Sequence, residues 1–225
     1  MKEAVRERNR RGEGSKLRAD ILAGATVLLE QTGNEEAVTL RAVAREVGIS
    51  APSIYSHFPD REAIVEAVVD GAFADFNAAI EDAANAAIAA GAGPRERVRA
   101  GCAAYLRFAA ERPNRYRLMF ERQHRIGGDV PDVQITGFDL LVRSIQDCVA
   151  AGISASTDPA RDATAIWLAL HGYATLPARL PMFPWPDADA LLDRIVDGLA
   201  QITADDVAQP QVAQPQVAQP QVAQP

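Results

Sequence analysis

Residues 39–58 constrain the fold of this chain more than any other segment, because they contain the start and stop signals of two very short helices. Thr39 is a suitable N-cap for the first helix, and Gly48 can take the left-handed backbone conformation that a tight turn needs. Ser50 can cap the second helix, and Pro52 falls in its first turn, where a missing N–H is harmless. The first helix has an apolar face made of Leu40, Val43, Ala44 and Val47. We therefore predict a helix-turn-helix unit.

Outside this segment the sequence shows helical periodicity. Apolar residues recur every three or four positions and alanine supplies many of them, which favours helices packed closely on helices. We predict helices over about 15–32, 60–90, 94–112, 132–151, 158–177 and 187–203, a short helix after Pro113 and a loop over 122–131. A stiff crossover is predicted from Pro177, Pro181, Pro184 and Pro186. No segment alternates as a strand does, so the expected fold class is all-α.

The chain divides into four parts. Residues 1–14 are expected to form a flexible basic arm, residues 15–60 a three-helix head with the helix-turn-helix, and residues 61–204 a larger helical body. Residues 205–225 repeat Val-Ala-Gln-Pro with a five-residue period, and the recurring proline forbids a helix. We expect a disordered tail there, and its role stays open between a docking strip and none.

The distribution of charge is more informative than its sum. A formal net charge of −7 by itself argues against a protein that binds nucleic acid. However, residues 1–18 hold seven basic and three acidic side chains, and affinity for a polyanion depends on local basic surface. The alternative, that these residues are only a solvated end, stays open.

Cysteine usage and hydropathy indicate the compartment. Cys102 and Cys148 lie in amphipathic stretches and not in a dense framework, which is typical of reduced, buried thiols in a cytosolic protein. No window approaches the roughly 18 consecutive apolar residues of a membrane span, and the N-terminus lacks the apolar region of a secretory signal. We expect a cytoplasmic protein that does not interact with a membrane.

The run from Thr39 to Glu62 closely resembles the DNA-binding head of the tetracycline-repressor (TetR) family of transcription regulators. The resemblance lies in a threonine cap, an apolar-alanine pair, a glycine-apolar-serine turn and a Tyr-x-His-Phe ending, here Thr39, Val43-Ala44, Gly48-Ile49-Ser50 and Tyr55-Ser56-His57-Phe58. It extends over the whole run and follows a suitable first helix. It implies a transcription regulator that binds double-stranded operator DNA.

In such a unit the second helix lies in the major groove and presents its N-terminal residues to the base edges. Ala51 and Ser53 are small, so the backbone can approach closely. Ala51 can contact a thymine methyl group, and Ser53 can form a hydrogen bond with a base. Arg41, at the start of the first helix of the unit, can reach either a base or the DNA backbone.

A second set of residues is predicted to contact phosphates. Thr39 and Ser50 stand at helix N-termini, where free N–H groups suit an anion. Tyr55, His57 and Arg61 match family positions that commonly hold the DNA backbone. For Tyr55 and His57, packing and capping within the head stay an alternative.

Specific binding usually needs two heads about 34–36 Å apart on a near-palindromic site, which requires a dimer. Family members dimerise through their last two long helices, and the matching helices here cover about 158–177 and 187–203. Their apolar stripes contain Ile166, Leu168, Leu170, Leu191, Leu192, Ile195, Val196 and Leu199. The core of a monomer would show the same stripes, so this alternative stays open.

The segment from Trp167 to Gly172 resembles a Trp-x-x-x-His-Gly signature found in one subgroup of TetR-family C-terminal domains. Gly172 within a helix costs about 1 kcal/mol relative to alanine, which suggests a close helix contact. The resemblance implies a pocket in the body for a small, largely apolar inducer, whose binding moves the helix that follows Asp60 and releases a repressor from DNA. The hypothesised lining is Phe76, Tyr105, Phe108, Met119, Phe120, Trp167 and His171, and for each residue alone ordinary core packing is the alternative.

An enzyme is disfavoured. The sequence has no Gly-x-Ser-x-Gly elbow, phosphate-binding glycine loop or dinucleotide fingerprint. Glu121 and His124 form one Glu-x-x-His element, but a di-iron bundle needs a second copy. We expect no catalytic residue, cofactor or metal. Two further alternatives are a helical ligand-binding protein that has lost DNA binding, and an activator.

Overall fold

The computed structural model describes residues 13–121 and 132–203. Within these residues there are nine α-helices, one 3₁₀ turn at Glu35–Ala37 and no strand. The helices are α1 Glu13–Thr32, α2 Leu40–Val47, α3 Ala51–Ile54, α4 Arg61–Ala89, α5 Pro94–Glu111, α6 Pro113–Glu121, α7 Asp132–Ala150, α8 Pro159–Arg179 and α9 Ala188–Leu199. The predicted all-α fold class is confirmed.

The head is a three-helix unit around one apolar centre. α1 approaches α2 so closely that a Cβ atom on Gly24 would lie 2.6 Å from Val47 Cγ2. Ile54 of α3 and Phe58 just after it are buried in the same centre. It also contains Ile21, Ala25, Leu29, Val43 and Ala44. Because Ile54 and Phe58 point inward, the opposite side of this short segment faces solvent.

The body is built on α4 and α5, which pack along each other. α7 lies against both, α8 packs on α5 and α7, and α9 packs on α5 and α8. α6 contacts α4 and α5 of the body and also α1 of the head. Among the described helices, none has an apolar stretch long enough to cross a bilayer.

Charged side chains join α9 to α5. Arg95 Nε donates to Asp197 Oδ1 at 2.7 Å, and Arg99 Nε donates to Asp193 Oδ1 at 2.6 Å. The hydrogen bond from Arg99 holds the pKa of Asp193 below its ordinary value. The aspartates of α9 are therefore paired with arginines on a neighbouring helix.

The predicted crossover is wrong at its first residue. Pro177 lies inside α8, which continues to Arg179. A proline removes one N–H donor from the helix, but the Leu180 N–H still donates to the Leu176 carbonyl at 2.9 Å and closes the last turn. The predicted loop at 122–131, His124 and the tail at 205–225 lie outside the described residues, as do residues 1–12 of the predicted arm.

Candidate nucleic-acid interface and body cavity

Local capping determines the turn between α2 and α3. Thr39 Oγ1 accepts the Ala42 N–H at 3.1 Å and begins α2. Gly48 has φ +73°, and the Ile49 N–H after it donates to the Ala44 carbonyl at 2.9 Å. This is the left-handed ending predicted from the sequence, and it directs the chain into α3.

We expect Gly48→Ala to lower the free energy of unfolding by about 1 kcal/mol, because an L side chain is strained at this positive φ. A Cβ atom there would meet nothing within 4 Å, so backbone strain alone is tested. Gly71→Ala is the matched control, since Gly71 lies in the middle of α4, also with nothing within 4 Å of its Cβ position. It should stabilise by up to about 1 kcal/mol. Urea denaturation measures both, and a destabilisation by both variants would contradict the assignment of strain to Gly48.

The segment after the turn presents small and polar groups to solvent. α3 ends at Ile54, whereas the sequence predicted a helix to Phe58; the N–H groups of His57 and Phe58 both donate to the Ile54 carbonyl and form a turn. The predicted cap is also different, because the Ser50 hydroxyl makes no cap hydrogen bond and lies 2.7 Å from the Ser53 hydroxyl. Ala51, Ser53 and His57 are half-buried, and the side chain of Tyr55 is 60% exposed.

The predicted phosphate contacts differ in their surroundings. Thr39, at the N-cap of α2, and Arg41, in its first turn, are both exposed. Arg61 is engaged within the head, because its Nε donates to the Val38 carbonyl at 3.0 Å and its Nη2 to the Glu35 carbonyl at 2.6 Å. Arg61 therefore joins the start of α4 to the 3₁₀ turn.

A cavity of about 340 Å³ lies between α4, α5, α7 and α8. Four of the hypothesised residues line it, namely Phe76, Tyr105, Phe120 and Trp167. Phe108 and Met119 are buried in the core and do not line the cavity, although the Phe108 ring packs edge-on against Phe76 at 5.2 Å between centroids. Cys102 also lines it; burial raises the pKa of this thiol to about 12, so the thiol stays protonated at neutral pH.

A buried polar cluster lies beside the cavity. The hydroxyls of Tyr105 and Tyr116 are 2.6 Å apart, and the Tyr116 hydroxyl is 2.8 Å from His171 Nδ1. Burial raises the pKa of both phenols and lowers the pKa of His171, so all three side chains are neutral near pH 7. His171 touches this cluster and does not line the cavity. Sequence analysis missed Tyr116, although it is one turn before Phe120 on α6.

α6 makes polar contacts with the head and with α4. Arg115, only 9% exposed, donates from Nη2 to Asp75 Oδ2 at 2.6 Å, and its Nε lies 3.7 Å from Glu30 Oε1 of α1. Arg117 donates to the Gly33 carbonyl just after α1. The same short helix therefore contacts the cavity cluster, the long helix α4 and the head.

One face of α8 is apolar and is not covered by any other described part of the protomer. Leu168 is 63% exposed and Leu176 is 42% exposed. Gly172, between them, makes no close contact with another described helix, since a Cβ atom there would meet only Leu176 of α8 at 4.0 Å. The expected close contact is thus absent from the described protomer. Much of the predicted dimer stripe is protomer core instead, namely Ile166, Leu170, Leu192, Ile195 and Val196.

Comparisons with known proteins match both parts of the chain. The family model of bacterial regulatory proteins of the tetR family matches residues 21–68, and that of the tetracyclin repressor-like C-terminal domain matches residues 98–199. A solved protein of unknown function from Rhodococcus sp. RHA1 is 30% identical, with a TM-score of 0.68 over 82% of this chain and 92% of its own. A TetR-family transcriptional regulator from Pectobacterium atrosepticum is 25% identical, with a TM-score of 0.62 over 86% of this chain and 95% of its own.

A third similar structure comes from work on the molecular basis for control of antibiotic production by bacterial hormones. It is 25% identical, with a TM-score of 0.61 over 83% of this chain and 94% of its own. Among curated proteins, none matches the chain.

Proposed function

Since this chain belongs to the TetR family of DNA-binding transcriptional regulators, we propose that it is a repressor that binds a palindromic operator as a homodimer and is released by a small, largely apolar inducer. The observation that most supports this is that one protomer has a solvent-facing α3 and an apolar cavity, with α6 in contact with both domains. Residues 15–60 are the DNA-binding domain and residues 61–204 the effector and dimerisation domain. The protein acts in the cytoplasm, where its operator lies.

We propose that the solvent-facing side of the α3 segment contacts the bases of the operator. Ala51 and Ser53 contact base edges in the major groove, while Tyr55 and His57 hold the flanking phosphates. Thr39, Arg41 and Ser50 complete the interface. Arg61 supports it by fixing the start of α4, because its guanidinium is already bonded to two backbone carbonyls of the head.

The uncovered face of α8 is the proposed dimer interface, together with α9. Exposed leucines on either side of Gly172 form an apolar stripe. Because glycine has no side chain, a second helix can approach closely at this position. Gly198 of α9 likewise has nothing within 4 Å of its Cβ position. The dimer would place the two heads on successive major grooves, about 34–36 Å apart.

The proposed inducer occupies the cavity and acts through α6. Phe120 lines the cavity, Tyr116 lies in the cluster beside it, and Arg115 links the same helix to α1 and α4. A ligand that favours one position of α6 over another would change how the head sits on the body. Such a ligand shifts the population between a DNA-binding and a non-binding conformation, by as much as its affinities for the two differ.

The test is selection of DNA sites from a random duplex pool with the purified full chain, followed by titration at several salt concentrations. We expect a near-palindromic site, two protomers per duplex, and a Kd within about 10⁻⁸–10⁻¹¹ M that weakens steeply with salt. Failure to enrich any sequence over the starting pool would contradict the proposal.

Arg41→Ala is the variant that tests the interface. Removing one phosphate or base contact should weaken operator binding by about tenfold and lower the salt slope by about one. Arg161→Ala is the matched control, since Arg161 is 80% exposed at the start of α8, in the body. Fluorescence anisotropy measures both, and equal losses in the two variants would indicate a non-specific charge effect in place of a contact by Arg41.

A further inference from the structure

The cavity in the body has a strongly asymmetric charge. Its described lining is mostly aromatic and aliphatic, and it contains one charged side chain, Arg97 of α5, and no carboxylate. A single cation in an apolar cavity is unfavourable unless an anion or a set of acceptors accompanies it.

The hydrogen bonding of Arg97 is incomplete. Its Nε is fully buried and donates to no acceptor among the described residues. Its one ion pair with a described residue is long, 3.8 Å from Nη1 to Asp147 Oδ2, and that carboxylate is 60% exposed on α7. Arg97 therefore lines the cavity with a guanidinium whose hydrogen-bonding capacity is not fully used, and a carboxylate is the group that a guanidinium pairs with best.

Hydroxyl groups around the cavity are already bonded within the protein. The Ser144 hydroxyl donates to the Leu140 carbonyl and the Thr164 hydroxyl to the Ala160 carbonyl, both at 2.8 Å. Tyr105 shares its hydrogen bond with a second tyrosine. These groups favour an acid with an apolar body over a polyhydroxylated ligand.

The spacing along α5 indicates the length of the ligand. Arg97, Gly101 and Tyr105 are four residues apart and line one face of the helix. Eight residues of α-helix span about 12 Å, at about 1.5 Å per residue. Gly101 has no side chain, and Ile80 of α4 lies across from it, with Cγ2 3.4 Å from the position that a Cβ atom would take. An alkyl chain of medium length spans this distance.

We propose that the ligand of this cavity is an amphipathic anion, with a carboxylate that pairs with Arg97 and an apolar body that extends along α5 to Tyr105 and Trp167. This inference rests on the proposed function for the role of the cavity, and it names the chemical class of the inducer.

Titration calorimetry without DNA tests the proposal, with decanoate and decan-1-ol as probes of equal length. The wild type should bind decanoate at least tenfold more tightly than the alcohol, because only the acid pairs with the guanidinium. Arg97→Gln should lose roughly tenfold or more of its affinity for decanoate and little of its affinity for the alcohol. Arg107→Gln, an exposed arginine on the same helix, should behave as the wild type.

Arg97→Lys is a second variant that keeps the test decisive if Arg97→Gln fails to fold. It retains the positive charge and should therefore retain a preference for the acid. The proposal is overturned if the wild type binds acid and alcohol equally, if it binds neither below the micellar concentration, or if Arg97→Gln leaves the preference unchanged. Because no DNA is present, these results are independent of site selection. If acid binding depends on Arg97 but no DNA site is enriched, this inference is upheld and the proposed repressor function is overturned.

Discussion

Replacing Gly172 by arginine is expected to abolish tight operator binding while leaving the protomer folded. Arginine is a better helix former than glycine, and a Cβ atom at this position would meet no other described helix within 4 Å. In the proposed dimer, however, it would place a charge between two α8 helices that pack through Leu168 and Leu176. Two DNA-binding heads that are held in one dimer bind a two-part operator about 10²–10⁴-fold more tightly than a single head does. Loss of the dimer should therefore reduce operator affinity by a comparable factor.

Light scattering after gel filtration gives the mass of this variant, and fluorescence anisotropy gives its affinity for the selected site. Ala110→Arg is the matched control, because it adds the same charge to an exposed position inside α5. It should remain dimeric with unchanged affinity. A Gly172→Arg protein that is still a dimer and still binds the operator would exclude this face of α8 as the interface.

Arg115→Met is expected to leave ligand binding nearly unchanged and to reduce ligand-induced release of DNA. The methionine keeps a flexible apolar side chain, but it removes the hydrogen bond to Asp75 of α4 and the ion pair to Glu30 of α1. Both partners are about half exposed, so neither is left as a buried unpaired charge. Coupling between two sites typically corresponds to about 5–150-fold in affinity, and most of this factor should disappear.

The ligand is found by screening for compounds that raise the melting temperature of the protein. Operator affinity is then measured with and without this ligand, and calorimetry gives the affinity for the ligand itself. Arg112→Met is the control, since Arg112 is the C-cap of α5 and its guanidinium lies over the Phe108 ring, 5.1 Å from the centroid. It should keep full coupling. If the Arg115→Met variant released DNA as the wild type does, the hypothesis that ligand binding acts on the head through Arg115 of α6 would be wrong. Another contact between the head and the body would then have to be tested.

The head is the part that sequence predicted best. Thr39 and Gly48 act on backbone groups within a few residues of themselves, and the structure shows Thr39 as a cap and Gly48 in the left-handed region. The failures in the same segment are also local. Ser50 bonds to the Ser53 hydroxyl in place of a backbone N–H, and the helix after it closes at Ile54.

The body shows where prediction from periodicity stops. An apolar residue at helical spacing can face the core, a cavity or the outside of the protomer. On α8, Ile166 is buried in the core, Trp167 lines the cavity and Leu168 is exposed on the face that we propose as the dimer interface. Likewise, Phe76 lines the cavity, while Phe108 packs behind it. Arg97 was not singled out at all, because a lone arginine on an amphipathic helix is usually solvated.

The sequence by itself determined the order of the helices, the Thr39 cap and the Gly48 turn of the head, and the all-α class, because these depend on interactions between residues up to about four positions apart. Only the tertiary structure decided which apolar side chains fill the core, where the cavity lies and which arginine lines it. Those outcomes depend on how helices distant in sequence fit against one another, and helical periodicity contains no information about that fit.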